Sequence, residues 1–436
     1  MTSSAQRLFT GAHTAPDSNS GATLFTLECL SFPFDGVKLI TGMPAFCNSC
    51  VSGNPDALAS ISTTSGSQYL YSSCAFSFSS GKFHLPFFAS NNIMFGNTAG
   101  KEQGCGDNNV FIGRDAGKAS GSTAADNSGS ENVAIGDEAG SMLTCGDDNV
   151  FIGREAGKNI TTGCRNISIG QQAGRYGCTA SDNISIGYLA GQYIGGHSKN
   201  IFIGYEAGKS SGTATDNSGC GNVAGKYNIA FGLAAGSALA STQFSVLVGH
   251  HAGCFRTSGD YSIAIGREAL KGTSGTATGE KNIGIGYLAG KNVSTGKCNV
   301  FIGNAAGPAT TTGNNNIFIG DCAVKDGIVT GSNNTVMGNC AGLNLTSGNA
   351  NLVMGLYAGG ALTTATDNVI LGCYAAKNSI SLCGNILIGP ETGACLCNGT
   401  HNIIMGQYAG RGSSTVSANT AANNVALGQN ALTKVS

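Results

Sequence analysis

The stretch NVFIGREAGK, residues Asn149 to Lys158, decides the fold because close variants of it recur along most of the chain. NVFIGRDAGK begins at Asn109, and NIFIGYEAGK begins at Asn200. The shared pattern is Asn, an apolar residue, a variable residue, an apolar residue, Gly, two variable residues, Ala and Gly. Self-similarity at a fixed spacing is the sequence signature of a repeat architecture, in which each unit stacks on the next.

The Gly that follows the apolar triplet marks nineteen copies, and most neighbouring copies are 17 residues apart. The longer intervals carry additional residues, mostly Ser, Thr, Ala, Asn and Gly, between the Ala-Gly pair and the next Asn. Insertions confined to one place are typical of one surface loop on a fixed structural unit. The repeat therefore extends over roughly residues 91 to 432.

Each repeat has the features of a short strand that ends at a turn. The triplet is rich in β-branched and aromatic residues, and Gly after it permits a positive φ. The near-constant Ala predicts a tight site facing the neighbouring repeat. The remaining residues have room for a second short strand, so we expect coils with two main strands. The fold prediction is an all-β protein, a parallel β-solenoid of about nineteen rungs and, at about 4.8 Å per rung, an axial length of roughly 90 Å.

The Asn that opens the strand predicts a structural ladder. Ser245 and Ser262 replace it in two copies. Identical amides stacked rung on rung can hydrogen-bond to one another, as they do in cross-β stacks. The predicted ladder includes Asn109, Asn132, Asn149, Asn166, Asn183, Asn200, Asn282, Asn299 and Asn316.

The middle residue of the triplet bears on the oligomeric state. Neighbouring side chains of a strand point to opposite faces, so we expect Val150 and Ile152 to fill the coil and Phe151 to face outward. No copy carries a charge at the middle position, and a strand apolar on both faces is buried on both. Either this stripe packs against other copies around a symmetry axis, or a loop covers it. The predicted subunit interface comprises Phe111, Phe151, Phe202, Leu247, Phe301, Phe318, Val353, Ile370, Leu387 and Ile404.

Repeats such as NVAIG, residues 132–136, resemble the head repeats of trimeric autotransporter adhesins. The chain also resembles, more closely, the NxxIGxxAG arrays of phage and other viral tail fibres. The resemblance implies a left-handed β-roll wound as a homotrimer. It covers the repeats only, and the secretion leader, coiled-coil stalk and membrane anchor of an autotransporter are not recognisable here. The resemblance therefore favours a virion or tail fibre shaft with a role in host attachment, over an adhesin on a bacterial surface.

The first 88 residues lack the repeat, and their alternation of apolar runs with Gly, Ser and Pro predicts a small β-rich domain. We expect residues 1–88 to attach the fibre to a virion or to the next subunit, or to cap the first rung. Residues 89–436 then form the solenoid shaft. An alternative is a self-assembling filament that polymerises end to end through the N-terminal domain.

Composition limits the other classes of function. The net charge of −1 offers no electrostatic footprint for nucleic acid. No apolar run of about 18 residues predicts a membrane span, and the N-terminus does not resemble a signal peptide. We therefore expect synthesis in the cytoplasm and a final place in a virion or extracellular fibre. The 17 cysteines do not share one repeat position, which favours thiols over a disulfide framework.

No constellation of residues predicts catalysis, a cofactor or a metal. GIGYLAG, residues 284–290, matches a dinucleotide fingerprint, but it is a copy of the repeat with no helix pattern after it. CNSC at 47–50 and CLC at 395–397 lack a second ligand pair. His250 and His251 fall at turn positions, where we expect them to be solvated. The remaining expected partners are the chain itself and a receptor on a host surface.

Overall fold

Nineteen three-residue strands, one from each repeat, form a single parallel sheet along the solenoid. The structure, a computed structural model, describes residues 91–104, 106–119, 128–210, 225–273, 277–396, 398–411 and 422–433, and the backbone of 76–79 and 82–84. The repeat strands are β3 (Ile93–Phe95), β4 (Val110–Ile112), β5 (Val133–Ile135), β6 (Val150–Ile152), β7 (Ile167–Ile169), β8 (Ile184–Ile186), β9 (Ile201–Ile203), β10 (Ile229–Phe231), β11 (Val246–Val248), β12 (Ile263–Ile265), β13 (Ile283–Ile285), β14 (Val300–Ile302), β15 (Ile317–Ile319), β16 (Thr335–Met337), β17 (Leu352–Met354), β18 (Val369–Leu371), β19 (Ile386–Ile388), β20 (Ile403–Met405) and β21 (Val425–Leu427).

Two further strands, β1 (Phe76–Ser79) and β2 (Lys82–His84), precede the repeats. β1 pairs antiparallel with β2 and parallel with β3, so its backbone extends the sheet of the shaft. The rest of the predicted N-terminal domain, residues 1–88, lies outside the described residues.

Every repeat strand pairs with the next one in the same register. Val150 pairs with Ile167 across the regular interval of 17 residues. Val110 pairs with Val133 although 23 residues separate them. Insertions between repeats therefore leave the register unchanged, as expected for additions to a surface loop. This β-solenoid confirms the predicted fold class.

A tight turn follows each strand, and glycine is needed there for two reasons. Gly136 has a φ of 135°, a conformation that residues with a side chain rarely adopt. A Cβ atom on Gly136 would also lie 2.6 Å from the carbonyl oxygen of Gly153 on the next rung. The backbone still bonds between rungs through the turn, because Gly157 donates to the carbonyl of Ala173 at 2.9 Å.

The prediction of two main strands per coil is wrong for the described residues, where each coil contains one. The strand ends in a turn with positive φ at Glu155 and Gly157, and the stretch that follows, residues 158–165, consists of turns, bends and irregular backbone apart from Ile160. Among the described residues, β-pairing on the remaining sides is limited to isolated bridges such as Ile160 with Cys178.

The direction of the strand side chains also differs from the prediction. The middle residue of every repeat strand is buried inside its own coil, while the first and third residues are half-buried or exposed. Phe151, for example, is fully buried, whereas Ile152 is 36% exposed. The prediction reversed the two faces because the triplet is apolar at all three positions and shows no alternation.

The ten residues predicted as a subunit interface therefore lie in the core of one chain. Phe111, Phe151, Phe202, Leu247, Phe301, Phe318, Val353, Ile370, Leu387 and Ile404 are all at most 1% exposed. The core also contains the repeated Ala, such as Ala156, and a third column that includes Leu143 and Ile160. The middle position holds both large and small side chains, so neighbouring columns must complement one another for close packing between rungs.

Gly284 shows this complementarity in one place. It is the only Gly at the middle position, and a Cβ there would lie 2.7 Å from Cγ of Leu270. Leu270 itself stands where most repeats have the second Gly, and its side chain is fully buried. The leucine thus fills the space that the glycine leaves.

We predict strong coupling between these two positions. Gly284→Ala should overpack the core and cost about 1–3 kcal/mol of stability. Leu270→Gly should remove the collision, so the double variant should cost at least about 1 kcal/mol less than the sum of the single changes. Opening free energies from amide hydrogen exchange of β12 and β13 measure the coupling. Additive costs would show that the middle position does not face the core at this rung.

Candidate functional site: the asparagine ladder and the outward face of the sheet

The asparagines form a continuous buried ladder over several rungs. The backbone N–H of Asn166 donates to Oδ1 of Asn149 at 2.9 Å, and its Nδ2 donates to the same oxygen at 3.0 Å. Nδ2 also donates to the carbonyl of Ala180 at 2.7 Å. Each amide therefore joins three successive coils. The backbone bond to the preceding amide oxygen is present at Asn109, Asn132, Asn149, Asn166, Asn183, Asn200, Asn299 and Asn316.

The ladder weakens where serine replaces asparagine. Ser262 donates from its backbone to Oγ of Ser245 at 3.3 Å, and Asn282 donates to Oγ of Ser262 at 3.3 Å. A hydroxyl can accept these bonds, but it is a weaker replacement for the amide donor. Oγ of Ser245 reaches the carbonyl of Gly259 on the next rung at only 3.4 Å, and Oγ of Ser262 donates to the carbonyl of Asp260 instead of to Gly279. Two neighbouring repeats thus lack the Nδ2 donor.

Arg256 supplies the missing donor from inside the coil. It is fully buried, at a position where Leu239 stands one repeat earlier. Its Nη2 donates to Oγ of Ser262 at 2.9 Å and also to the carbonyls of Gly259 and Gly279. Burial lowers the pKa of Arg256 to about 10, so the side chain remains charged at neutral pH. Its Nε and Nη1 have no hydrogen-bond partner among the described residues.

The outward face of the sheet is apolar along the whole described shaft. Each repeat strand contributes its first and third residues, which we call the sheet face, and Thr335 is the only polar residue among them. Phe231 is 53% exposed and Leu427 is 65% exposed. A stripe of this length exceeds the apolar patch that a soluble monomer usually exposes.

Two columns of exposed residues border the sheet face. The Asn-side edge is the residue before each ladder position, and the Gly-side edge is the residue after the strand Gly. On the Asn-side edge the rings of Tyr227, Phe244 and Tyr261 stack, with centroids 4.8 and 5.0 Å apart. On the Gly-side edge the rings of Tyr188 and Tyr205 are also in contact, with centroids 5.0 Å apart and planes tilted by 30°.

Carboxylates at the turns form ion pairs with neighbouring rungs. Lys158 binds Glu138, and Lys291 lies 2.8 Å from Glu268. In each case the hydrogen bond from the lysine holds the pKa of the carboxyl below its usual range. These pairs are accessible to solvent, and such pairs stabilise a fold only slightly. Their arrangement is that of a charged surface in contact with solvent.

The two histidines are less exposed than expected. His250 and His251 are half-buried, and their ring centroids lie 4.1 Å apart. Burial lowers the pKa of His251, and the neighbouring His250 lowers it further. GIGYLAG lies in β13 and the turn after it, with no helix in that described segment.

No three His, Cys, Asp or Glu side chains of the described residues are grouped so that they could hold a metal ion. None of the described segments is a helix with the length and apolar character needed to cross a membrane. Several cysteines carry free thiols, namely Cys164, Cys254, Cys298, Cys322, Cys340, Cys373 and Cys383.

The chain matches no protein-family model, and neither curated proteins nor solved structures show significant similarity to it.

Two features of the site were not predicted from the sequence. Arg256 was not singled out, although two consecutive serines in the ladder flank it and were the available signal. The sheet face was assigned to the wrong residues of the strand. The asparagine could have corrected this, because a buried residue two positions before the middle residue must share its face.

We predict that the ladder depends on an acceptor at each rung. Asn166→Ala leaves the backbone N–H of Asn183 without an acceptor and removes one acceptor of its Nδ2, so it should lower the opening free energy of β7 and β8 by about 1–3 kcal/mol. Asn166→Ser should cost less, because its hydroxyl can accept as Ser245 does. Amide hydrogen exchange of both strands measures the difference, with exposed Asn97→Ala as a control. Equal costs for alanine and serine would contradict the role given to the acceptor.

We also predict that Arg256 compensates for the two serines. Arg256→Leu alone should destabilise β12 by about 1–3 kcal/mol, because the carbonyl of Gly279 loses its donor and that of Gly259 keeps only the hydroxyl of Ser245. Adding Ser245→Asn and Ser262→Asn restores the regular repeat. The opening free energy of β12 in the triple variant should be about 1–4 kcal/mol higher than in the native chain, since a buried unpaired charge is removed. Hydrogen exchange of β12 measures both. A triple variant less stable than Arg256→Leu alone would contradict this explanation.

Proposed function

We propose that this protein is a structural fibre shaft that works as a homotrimer, with the sheet face of each copy buried against the other two. The observation that carries the proposal is the apolar sheet face, which no described segment of the same chain covers. Burial of apolar surface is the main favourable term in protein association. The chemistry of the site favours assembly over catalysis.

The dimensions of the sheet face are sufficient for a stable interface. Nineteen rungs at about 4.8 Å, each about 10 Å wide, present roughly 900 Å² per copy. A standard protein interface buries about 800 Å² on each partner. Ordered β-branched side chains on a parallel sheet also lose little conformational freedom when a second surface covers them. The sheet face therefore fits a permanent interface.

The number of copies and the biological setting come from the resemblance of the repeat. The NxxIGxxAG arrays of viral and phage tail fibres support a trimer and a role in carrying a virion to its host. Residues 1–88 would then provide the attachment to the particle or to the next subunit. In this proposal the shaft is an extended spacer, and a host receptor would bind its exposed loops or edges.

We predict that charges on the sheet face abolish assembly. Ile265→Glu with Ile285→Glu places two carboxylates on adjacent strands, where burial against another copy would leave them unpaired. The native chain should sediment as three times 43.7 kDa, and this variant as 43.7 kDa with an unchanged β-sheet circular dichroism spectrum.

The control variant carries two new carboxylates away from the sheet face. Thr162→Glu with Thr295→Glu lies on exposed turns away from the strands and should keep the native mass. A native chain that sediments as a monomer would overturn the proposal. A mass that rises without limit as concentration increases would favour the end-to-end filament instead.

A further inference from the structure

At several rungs, the residues on the two edges of the sheet face have complementary charges or form a cation–aromatic combination. On β6, Asp148 on the Asn-side edge is level with Arg154 on the Gly-side edge. On β12, Tyr261 is level with Arg267. Opposite charges attract, and guanidinium groups bind favourably to aromatic rings.

The same matching continues in the aromatic part of the shaft. On β13, Lys281 is level with Tyr287, which is 46% exposed. On β10, Tyr227 is level with Leu233, and both are more than 40% exposed. Charged residues come before the first aromatic ones on both edges, at Glu131 to Lys199 on the Asn-side edge and at Arg114 to Arg154 on the Gly-side edge.

Within one chain the two edges do not meet. Six positions separate Asp148 from Arg154, with an extended strand between them, so their backbones are about 15 Å apart. Arg154 is exposed and has no ion-pair partner among the described residues. Glu131 lies beside Asp148 on the Asn-side edge, and a hydrogen bond with that carboxyl, together with its charge, raises the pKa of Glu131. Arg154 thus forms no ion pair among the described residues, and Asp148 interacts electrostatically with Arg165 on its own edge without forming an ion pair with it.

We propose that copies of this chain pack parallel and in register, so that the Asn-side edge of one copy meets the Gly-side edge of the next at the same rung. The inference rests on the proposed self-association and adds the orientation and the contacting residues. Rotation about an axis along the solenoid brings opposite edges together, and a closed ring allows no shift along that axis. Antiparallel packing would instead bring each edge against itself.

One rung has acids on both edges, and the structure shows how the charge is balanced. On β5, Glu131 is level with Asp137. Asp137 already binds Arg114 of the rung below, with Nη2 of Arg114 2.8 Å from a carboxylate oxygen. The contact between copies at this level therefore joins Glu131 to a neutralised pair.

A native cysteine provides a direct test of the register. Cys298 is exposed on the Asn-side edge of β14, and Asn304 lies on the Gly-side edge of the same rung. Asn304→Cys would place a second thiol too far away for a bond within the chain, but close to Cys298 of the next copy. Cys322→Ser is added, because the backbone of Cys322 bonds to residue 304 and its thiol could compete. Oxidised glutathione serves as the oxidant.

The double variant Asn304→Cys with Cys322→Ser should give covalent dimers and trimers on a non-reducing denaturing gel. Adding Cys298→Ser should remove those bands. Moving the new thiol to Asn339→Cys, two rungs or about 10 Å away, should also remove them. These two controls separate the designed bond from links through the other cysteines.

Sedimentation of each variant before oxidation separates this inference from the proposed function. A trimer that forms the bond at 298 and 304 supports the register. A trimer with no such bond, or with equal linking at 339, overturns the register and leaves the trimer standing. A monomer overturns both.

Discussion

The buried asparagine amide is the interaction on which the rest of this solenoid depends. It accepts from the rung above, donates to the rung below and lies inside the coil. Because side chains alternate along a strand, the buried asparagine sends the middle residue inward and the first and third residues outward. One hydrogen-bonding residue thus determines the core, the register and the surface that is left for other copies.

Repeat-to-repeat stacking also explains why local departures are compensated locally. Stability in a solenoid is approximately a sum over neighbouring units, so a change in one rung must be balanced in the rungs it touches. Leu270 fills the space beside Gly284, and Arg256 donates to the carbonyl of Gly279, which Ser262 does not bind. The irregular rungs therefore keep the geometry of the regular ones while differing in chemistry.

Most of the architecture could be predicted from the sequence, because the period, the strand triplet and the place of insertions are all visible in the letters. The direction of the triplet was predicted wrongly, since Val, Phe and Ile at 150–152 show no alternation of polarity. The number of strands per coil was also wrong, because a stretch such as residues 158–165 forms turns and irregular backbone with one bridge at Ile160, and its residue types do not distinguish this from a short strand. Arg256 was missed because a lone arginine in a repeat normally indicates a solvated surface.

The corrected direction of the strand side chains moves the proposed interface to the first and third residues of each strand, but the argument for burial is the same. A strand that is apolar on both faces needs cover on both faces, and the coil covers only the inward one. Along both edges of the outward face, charged residues such as Asp148 and Arg154 come before the first aromatic rings, Tyr227 on one edge and Tyr188 on the other, so the chemistry of the edges changes along the shaft. Such a change along the shaft favours contacts between equal rungs of two copies over contacts between rungs that are shifted along the axis.

The most direct measurement of this account is a cross-section of the assembled shaft by electron cryomicroscopy, at a resolution that separates adjacent strands. The account predicts three solenoids around one axis, each with Phe151 inside its own coil and Ile152 facing the axis. Single solenoids, or sheet faces that point away from the axis, would contradict it.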